Sequence, residues 1–169
     1  MDLGTINNYF AQYGFVFLFV IILLEYMNLP GFPAGIIMPA AGIVISKSDM
    51  NFFVALLVSV IAGLLGSWIL YCIGRFGGDI ILRKYLNKFP SHEDFINKKI
   101  EYLREKGYVG ILISKLIPMA RTVIAIPAGV LRLNFKKYSA YSALGILIWN
   151  TALISSGYFF GEKILQFFG

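Results

Sequence analysis

Three charged side chains sit inside apolar stretches: Glu25 in Leu23-Leu24-Glu25-Tyr26-Met27, and Lys115 and Arg121 in Ile113-Ser114-Lys115-Leu116-Ile117-Pro118-Met119-Ala120-Arg121-Thr122. An ionisable group in hydrocarbon costs about 2.5–3.5 kcal/mol on insertion scales, so it normally has a partner and a task. Arg121 offers a planar fork suited to phosphate or carboxylate, and Lys115 adds a compact point charge. On an unbroken helix, six residues of separation would set these two about 120° out of line. Pro118 stands midway, and a break there lets both cations converge on one cavity. A carboxyl such as Glu25, with burial and a nearby cation acting in opposite directions, can exchange a proton near neutral pH. Two cations and a carboxylate in an apolar pocket suit a phosphate-bearing lipid headgroup with proton involvement. The same residues suit a structural ion pair, Glu25 with Arg121, and the two roles can coexist.

The segments that must position these groups are themselves irregular. Glu25 is followed by Pro30, Gly31, Pro33, Gly35, Pro39 and Gly42, a content that forbids a regular spanning helix over 29–46. Residues 10–46 therefore read as a helix followed by a broken, re-entrant segment, with Pro30 and Pro33 as its breaks. Residues 109–131 repeat the pattern around Pro118. Broken helices at membrane depth are tolerated only where they are buried in protein or line a wet cavity. Residues 52–74 and 138–160 are clean spans, each meeting the requirement of about twenty apolar residues.

Composition agrees. The 169 residues are 58% hydrophobic and 14% charged, with mean hydropathy +0.73, against about half apolar and a quarter charged in soluble domains. The net charge of +6 reads first as a topology signal and second as attraction to anionic headgroups. No nucleic acid partner is expected, since no basic face interleaved with aromatics stands outside the apolar segments. The polar stretch Arg83–Lys106 holds seven of the fifteen Lys and Arg residues and is placed in the cytoplasm. Both termini then lie outside, provided the first broken segment re-enters. Within that stretch, Ser91 reads as a helix N-cap with Asp94 three residues on. Ile96, Ile100 and Leu103 share one face, so the helix lies at the headgroups or stands as a solvated linker.

An internal repeat is visible. Asn51-Phe52 recurs as Asn134-Phe135, and Gly74-x-x-x-Gly78 recurs as Gly157-x-x-x-Gly161, both at an offset of 83. Ala41-Gly42 matches Ala128-Gly129 at an offset of 87. The chain is read as one transmembrane domain, 1–169, with repeat one over about 9–82, a connector over about 83–106 and repeat two over about 107–169. A repeat with one re-entrant segment and one span makes an odd number of crossings, so the copies must be inverted, a transporter arrangement. The fold class is an all-α polytopic membrane protein of inverted repeats. Each repeat is a helix plus a broken re-entrant segment and a full transmembrane helix. The G-x-x-x-G pairs permit close helix approach.

Other chemistry is not supported. Cys72 is the only cysteine and reads as a small buried hydrophobe. His92, the only histidine, falls in the polar connector. No cluster has metal-ligand spacing, and no phosphate-binding glycine loop or nucleophile elbow is present, so neither a metal nor a cofactor is expected. No cleaved signal peptide is expected. Tyr26, Asn28, Ser114, Asn150 and Thr151 can bond a headgroup or act as interhelical glue.

Taken together, Glu25 before Pro30-Gly31-Phe32-Pro33, Gly74-Arg75-x-x-Gly78 and Lys115-Leu116-Ile117-Pro118-Met119-Ala120-Arg121-Thr122 resemble the DedA family of bacterial inner-membrane proteins, the VTT domain family. The resemblance implies two re-entrant hairpins in inverted repeats, a multi-pass place in the bacterial cytoplasmic membrane, and transport of undecaprenyl phosphate or a phospholipid such as phosphatidylethanolamine. It implies that Glu25 is the essential acid and that Lys115 and Arg121 are the essential basic positions. Two departures stand out: lysine replaces the usual arginine at 115, and Ala34-Gly35 replaces a second acid, which puts coupling through an acidic pair in question. The rivals are a proton-coupled antiporter of small cations or drugs and a non-transport scaffold. An enzyme is not expected. A homo-oligomer is compatible with all three.

Overall fold

The structure, a computed structural model, describes residues 3–27, 34–48, 50–88, 93–118 and 120–168. Among them the order is α1 (Leu3–Tyr26), α2 (Ala34–Ser46), α3 (Phe52–Lys88), α4 (Glu93–Lys115), α5 (Ala120–Val123), α6 (Ala125–Val130) and α7 (Phe135–Phe168), with no strand among the described residues. The two repeated asparagines open the two long helices. Asn51 Oδ1 accepts the N–H groups of Phe53 at 2.9 Å and Val54 at 3.2 Å, and Asn134 Oδ1 accepts that of Lys137 at 3.2 Å. Each side chain satisfies first-turn donors that lack an intrahelical acceptor.

Phe52–Gly78 and Phe135–Gly161, each 27 residues, are long and apolar enough to cross a membrane. Only 33% and 28% of their apolar windows are buried, so neither behaves as the core helix of a soluble protein. Phe53, Leu57 and Ile61 repeat every four residues along α3 and are exposed. A continuous apolar face of this kind suits lipid rather than water. Between α1 and α2, the expected breaks at Pro30 and Pro33 lie outside the described residues, as do Asn28, Ser91 and His92. Beyond them α2 is more regular than expected, since it runs unbroken through Pro39. At 1.5 Å per residue it is still only about 20 Å long, short of the roughly 30 Å hydrocarbon core.

The chain forms two compact units. The first comprises residues Met1–Gly63 and Leu147–Gly169. Here α2 lies directly on α7. A Cβ added at Gly42 would fall 2.1 Å from the Ile154 carbonyl oxygen and 2.7 Å from Tyr158 N, and one at Gly157 would meet the Pro39 carbonyl. The Pro39 carbonyl thus lies directly against the Gly157 backbone.

The second unit comprises Leu64–Ile146. Its core gathers Leu70, Tyr71, Leu103, Ile111, Ile124 and Tyr138, with Cys72 packed at its margin as a small apolar residue. Here α6 lies on α3: a Cβ at Gly129 would fall 2.1 Å from the Tyr71 carbonyl oxygen and 2.7 Å from Arg75 N, and one at Gly74 would fall 2.2 Å from the Ile126 carbonyl oxygen. Gly78 does something else: it adopts φ 45°, ψ −142° with nothing within 4 Å of a Cβ, and kinks α3. Gly107 kinks α4 in the same conformation, φ 57°, ψ −136°. Only glycine takes this backbone region freely. Leu103 is buried in the protein core instead of facing headgroups, and the charged face with Lys98, Glu101 and Arg104 is exposed. Of that stripe, Leu103 packs on protein.

Helix α6 ends unusually. The Leu133 N–H donates to the Ala128 carbonyl and the Arg132 N–H to the Gly129 carbonyl, the two bonds of a Schellman cap. The residue at the left-handed position is Arg132, φ 50°, where glycine is usual and other residues cost about 1–2 kcal/mol.

Gly129→Ala should overpack a backbone contact at a cost of about 1–3 kcal/mol, seen as a fall of roughly 2–12 °C in apparent Tm in detergent. Gly35→Ala, with nothing within 4 Å of the new Cβ, should leave Tm unchanged or slightly raised. Equal melting of the two variants would refute the packing role.

Candidate functional site

The break between α4 and α5 is written in its hydrogen bonds. The last turn of α4 tightens: Leu116 N–H donates to Ile113 O at 3.0 Å and Ile117 N–H to Ser114 O at 3.2 Å, both one residue short of the α-helical spacing. Pro118 then supplies no N–H. The ladder resumes with the Arg121 N–H on Ile117 O at 3.0 Å. The turn exposes Leu116, Ile117 and Pro118 and buries what lies on either side of it. Lys115 is fully buried and Arg121 is 1% exposed. Ser114 and Thr122 beside them are buried too.

The structure brings Lys115 and Arg121 together, though through a backbone atom. Lys115 Nζ donates to the Arg121 carbonyl oxygen at 2.8 Å and to Ser67 Oγ on α3 at 2.8 Å. Gly145 on α7 makes room for the lysine stem: a Cβ there would fall 2.5 Å from Lys115 Cβ. The ammonium therefore ties α3 to the break and fixes the peptide that carries Arg121. A buried cation pays a desolvation cost that hydrogen-bonding acceptors offset only in part. Ser67 and Gly145 were not singled out from the sequence. The one available signal for Ser67 was a hydroxyl inside an apolar span.

Glu25 belongs to the first unit. It stands at the end of α1, 4% exposed. Its neighbour Tyr26 donates from its hydroxyl to Asn150 Oδ1 at 2.9 Å, and Asn150 Nδ2 donates to Ser59 Oγ at 3.1 Å. This buried polar chain joins α1, α3 and α7 within the unit. Tyr26 and Asn150 thus act as interhelical glue.

Described residues that are helical throughout their regular structure, with two long lipid-suited helices and two cations buried at a helix break, have the character of a membrane protein. Comparison with known proteins makes this specific. The VTT domain family model matches residues 32–159, most of the chain, and the protein belongs to that family, a family of membrane proteins that includes DedA. Undecaprenyl phosphate transporter A of Staphylococcus aureus is 30% identical over 156 residues, covering 90% of this chain and 76% of the relative. An alkaline phosphatase-like protein of Lactococcus lactis is 26% identical over 163 residues, 94% of this chain and 74% of the relative. Protein DedA of Escherichia coli is 26% identical over 158 residues, 89% of this chain and 72% of the relative. No solved structure matches the chain.

Ser67→Ala should leave a buried ammonium one acceptor short, destabilising by about 1–3 kcal/mol. Ser46→Ala removes an exposed hydroxyl bonded to Ile43 O and should change stability by less than about 0.5 kcal/mol. Thermal unfolding in detergent tests the pair, and an unchanged Tm in Ser67→Ala would contradict the tie.

Proposed function

We propose that the protein moves phosphate-bearing lipids, undecaprenyl phosphate or a phospholipid such as phosphatidylethanolamine, across the bacterial cytoplasmic membrane. The observation that carries this reading is the burial of Lys115 and Arg121 at one helix break in a member of this family. The naming of a relative as an undecaprenyl phosphate transporter supports the substrate class. In this reading the Arg121 guanidinium grips headgroup phosphate oxygens as a fork. Lys115 contributes positive field and holds the Arg121 peptide in place. Glu25 exchanges a proton and so releases the headgroup. The chain is multi-pass, its halves are inverted repeats, and the segments around Pro30, Pro33 and Pro118 re-enter the membrane. The like contacts at Gly42 and Gly129, 87 residues apart, favour two copies of one packing unit. Two buried cations disfavour an antiporter of small cations, which they would repel. The alkaline phosphatase-like name of one relative makes phosphate release the rival to measure.

In proteoliposomes, Arg121→Ala should lower the movement of fluorescent or radiolabelled undecaprenyl phosphate at least tenfold, and Arg121→Lys should keep the charge but lose most of the fork. Glu25→Gln should abolish any response to a pH gradient. Wild-type movement in Arg121→Ala would remove the site. Release of inorganic phosphate without lipid movement would replace transport with hydrolysis.

A further inference from the structure

The second unit carries another cationic feature, separate from the buried pair. A shallow pocket of about 480 Å³ is lined by Arg75, Arg132, Asn134, Phe135 and Lys136. Three of its five lining residues are cations, and all three are exposed. They come from different elements: Arg75 from α3, Arg132 from the end of α6, Lys136 from the first turn of α7. We infer that this pocket binds the phosphate group of an anionic lipid at the membrane–water boundary.

Four observations converge on a built site. Arg75 is pre-oriented: its Nη1 donates to the Tyr71 hydroxyl at 2.9 Å, and that hydroxyl donates to the Leu133 carbonyl, next in sequence to Arg132. Arg132 sits in a left-handed backbone conformation that glycine would occupy without strain. A long cationic side chain is kept where conformation argues against one, and such outliers are found where a side chain has a task. Lys136 is distinguished from its neighbour, because Lys137 Nζ lies 5.6 Å from the centroid of the Tyr108 ring and is engaged there. The floor is aromatic: Phe135 packs against Trp68 at 5.4 Å and Tyr71 at 5.5 Å between ring centroids.

Position favours a lipid as the carrier of the phosphate. Arg75 lies three residues before the end of the apolar span Phe52–Gly78, and Lys136 one residue after the start of Phe135–Gly161. Cations and aromatic residues at the ends of apolar spans stand at headgroup level. Arginine forks at this depth take phosphate oxygens in pairs. The inference rests on the membrane reading only for the source of the phosphate. It does not require that the protein transport anything.

The test is calorimetric titration of the purified full-length protein in neutral detergent with dihexanoyl phosphatidic acid, dihexanoyl phosphatidylcholine and inorganic phosphate. Wild type should bind the phosphatidic acid more tightly than the phosphatidylcholine, with affinity falling as salt rises. Arg132→Gly, Lys136→Gln and Arg75→Gln should each weaken binding about tenfold, the loss expected for one charge-assisted bond. Arg132→Gly relaxes the backbone as it removes the charge, so its loss is not a folding effect. In an Arg121→Ala background, which disables the proposed transport site, phosphatidic acid should still bind and Arg132→Gly should still weaken that binding, which separates this pocket from the transport site. If inorganic phosphate displaces the probe at equal concentration, the natural ligand is free phosphate. If it does not, the ligand is lipid-borne. The inference is overturned if the Arg132→Gly, Lys136→Gln double variant binds phosphatidic acid normally, if phosphatidylcholine binds equally well, or if Arg121→Ala alone abolishes binding.

Discussion

Glycine-permitted contact of backbone on backbone fixes where the short helices lie. In hydrocarbon, apolar side chains gain nothing by leaving water, so helices meet where small residues let their backbones approach. Gly42 and Gly157 do this between α2 and α7, and Gly129 and Gly74 between α6 and α3. Neither α2 nor α6 is long enough to be placed by spanning the membrane. Their positions follow from these contacts, and the breaks that precede them inherit those positions. In the second unit the consequence is direct. Gly74 seats α6 through the Ile126 carbonyl, and seven residues earlier on α3 Ser67 accepts Lys115. One face of α3 therefore locates both ends of the segment that carries Arg121.

That placement gives the buried cations their character. Lys115 spends hydrogen bonds on a serine hydroxyl and a carbonyl, neither of which carries charge. Its positive charge is thus held in the pocket but not neutralised by these two partners. Arg121, on a four-residue helix after a proline break, presents a guanidinium whose backbone is fixed independently of what its fork grips. A fixed backbone under a delocalised cation suits the headgroup recognition proposed for Arg121. The lysine at 115 is informative here. A point-charge ammonium can tie two acceptors and still supply field, so the loss of a bidentate fork at that position matters less than it would at 121.

Much of this was legible in the sequence because it depends on features that sequence records directly. The two apolar spans follow from length and composition, and the break at Pro118 from the missing N–H. The repeated Asn51 and Asn134 became helix caps, and the glycine offsets of 83 and 87 became like backbone contacts. What stayed hidden depends on tertiary packing. Gly74 and Gly78 look equivalent as a pair, yet one is a packing surface and the other a kink. Leu103 has the spacing of a headgroup-facing stripe, and burial in the core decides otherwise. Pro39 reads as a breaker, but a helix can absorb one proline when its neighbours hold it in place. Ser67 is one hydroxyl among apolar residues until Lys115 arrives from 48 positions away.

The partner choices carry a further consequence. α2, from the first half of the chain, packs on α7 from the second, and α6, from the second half, packs on α3 from the first. Each compact unit is therefore made of pieces of both halves, with its boundaries inside α3 and α7. The buried Lys115 depends on the same exchange, since its serine comes from the first half and the room for its stem from Gly145 in the second. Ser67, Lys115, Arg121 and Gly145 all lie in the second unit, so this setting forms once distant stretches of that unit come together. A cation left in hydrocarbon without that setting would cost several kcal/mol.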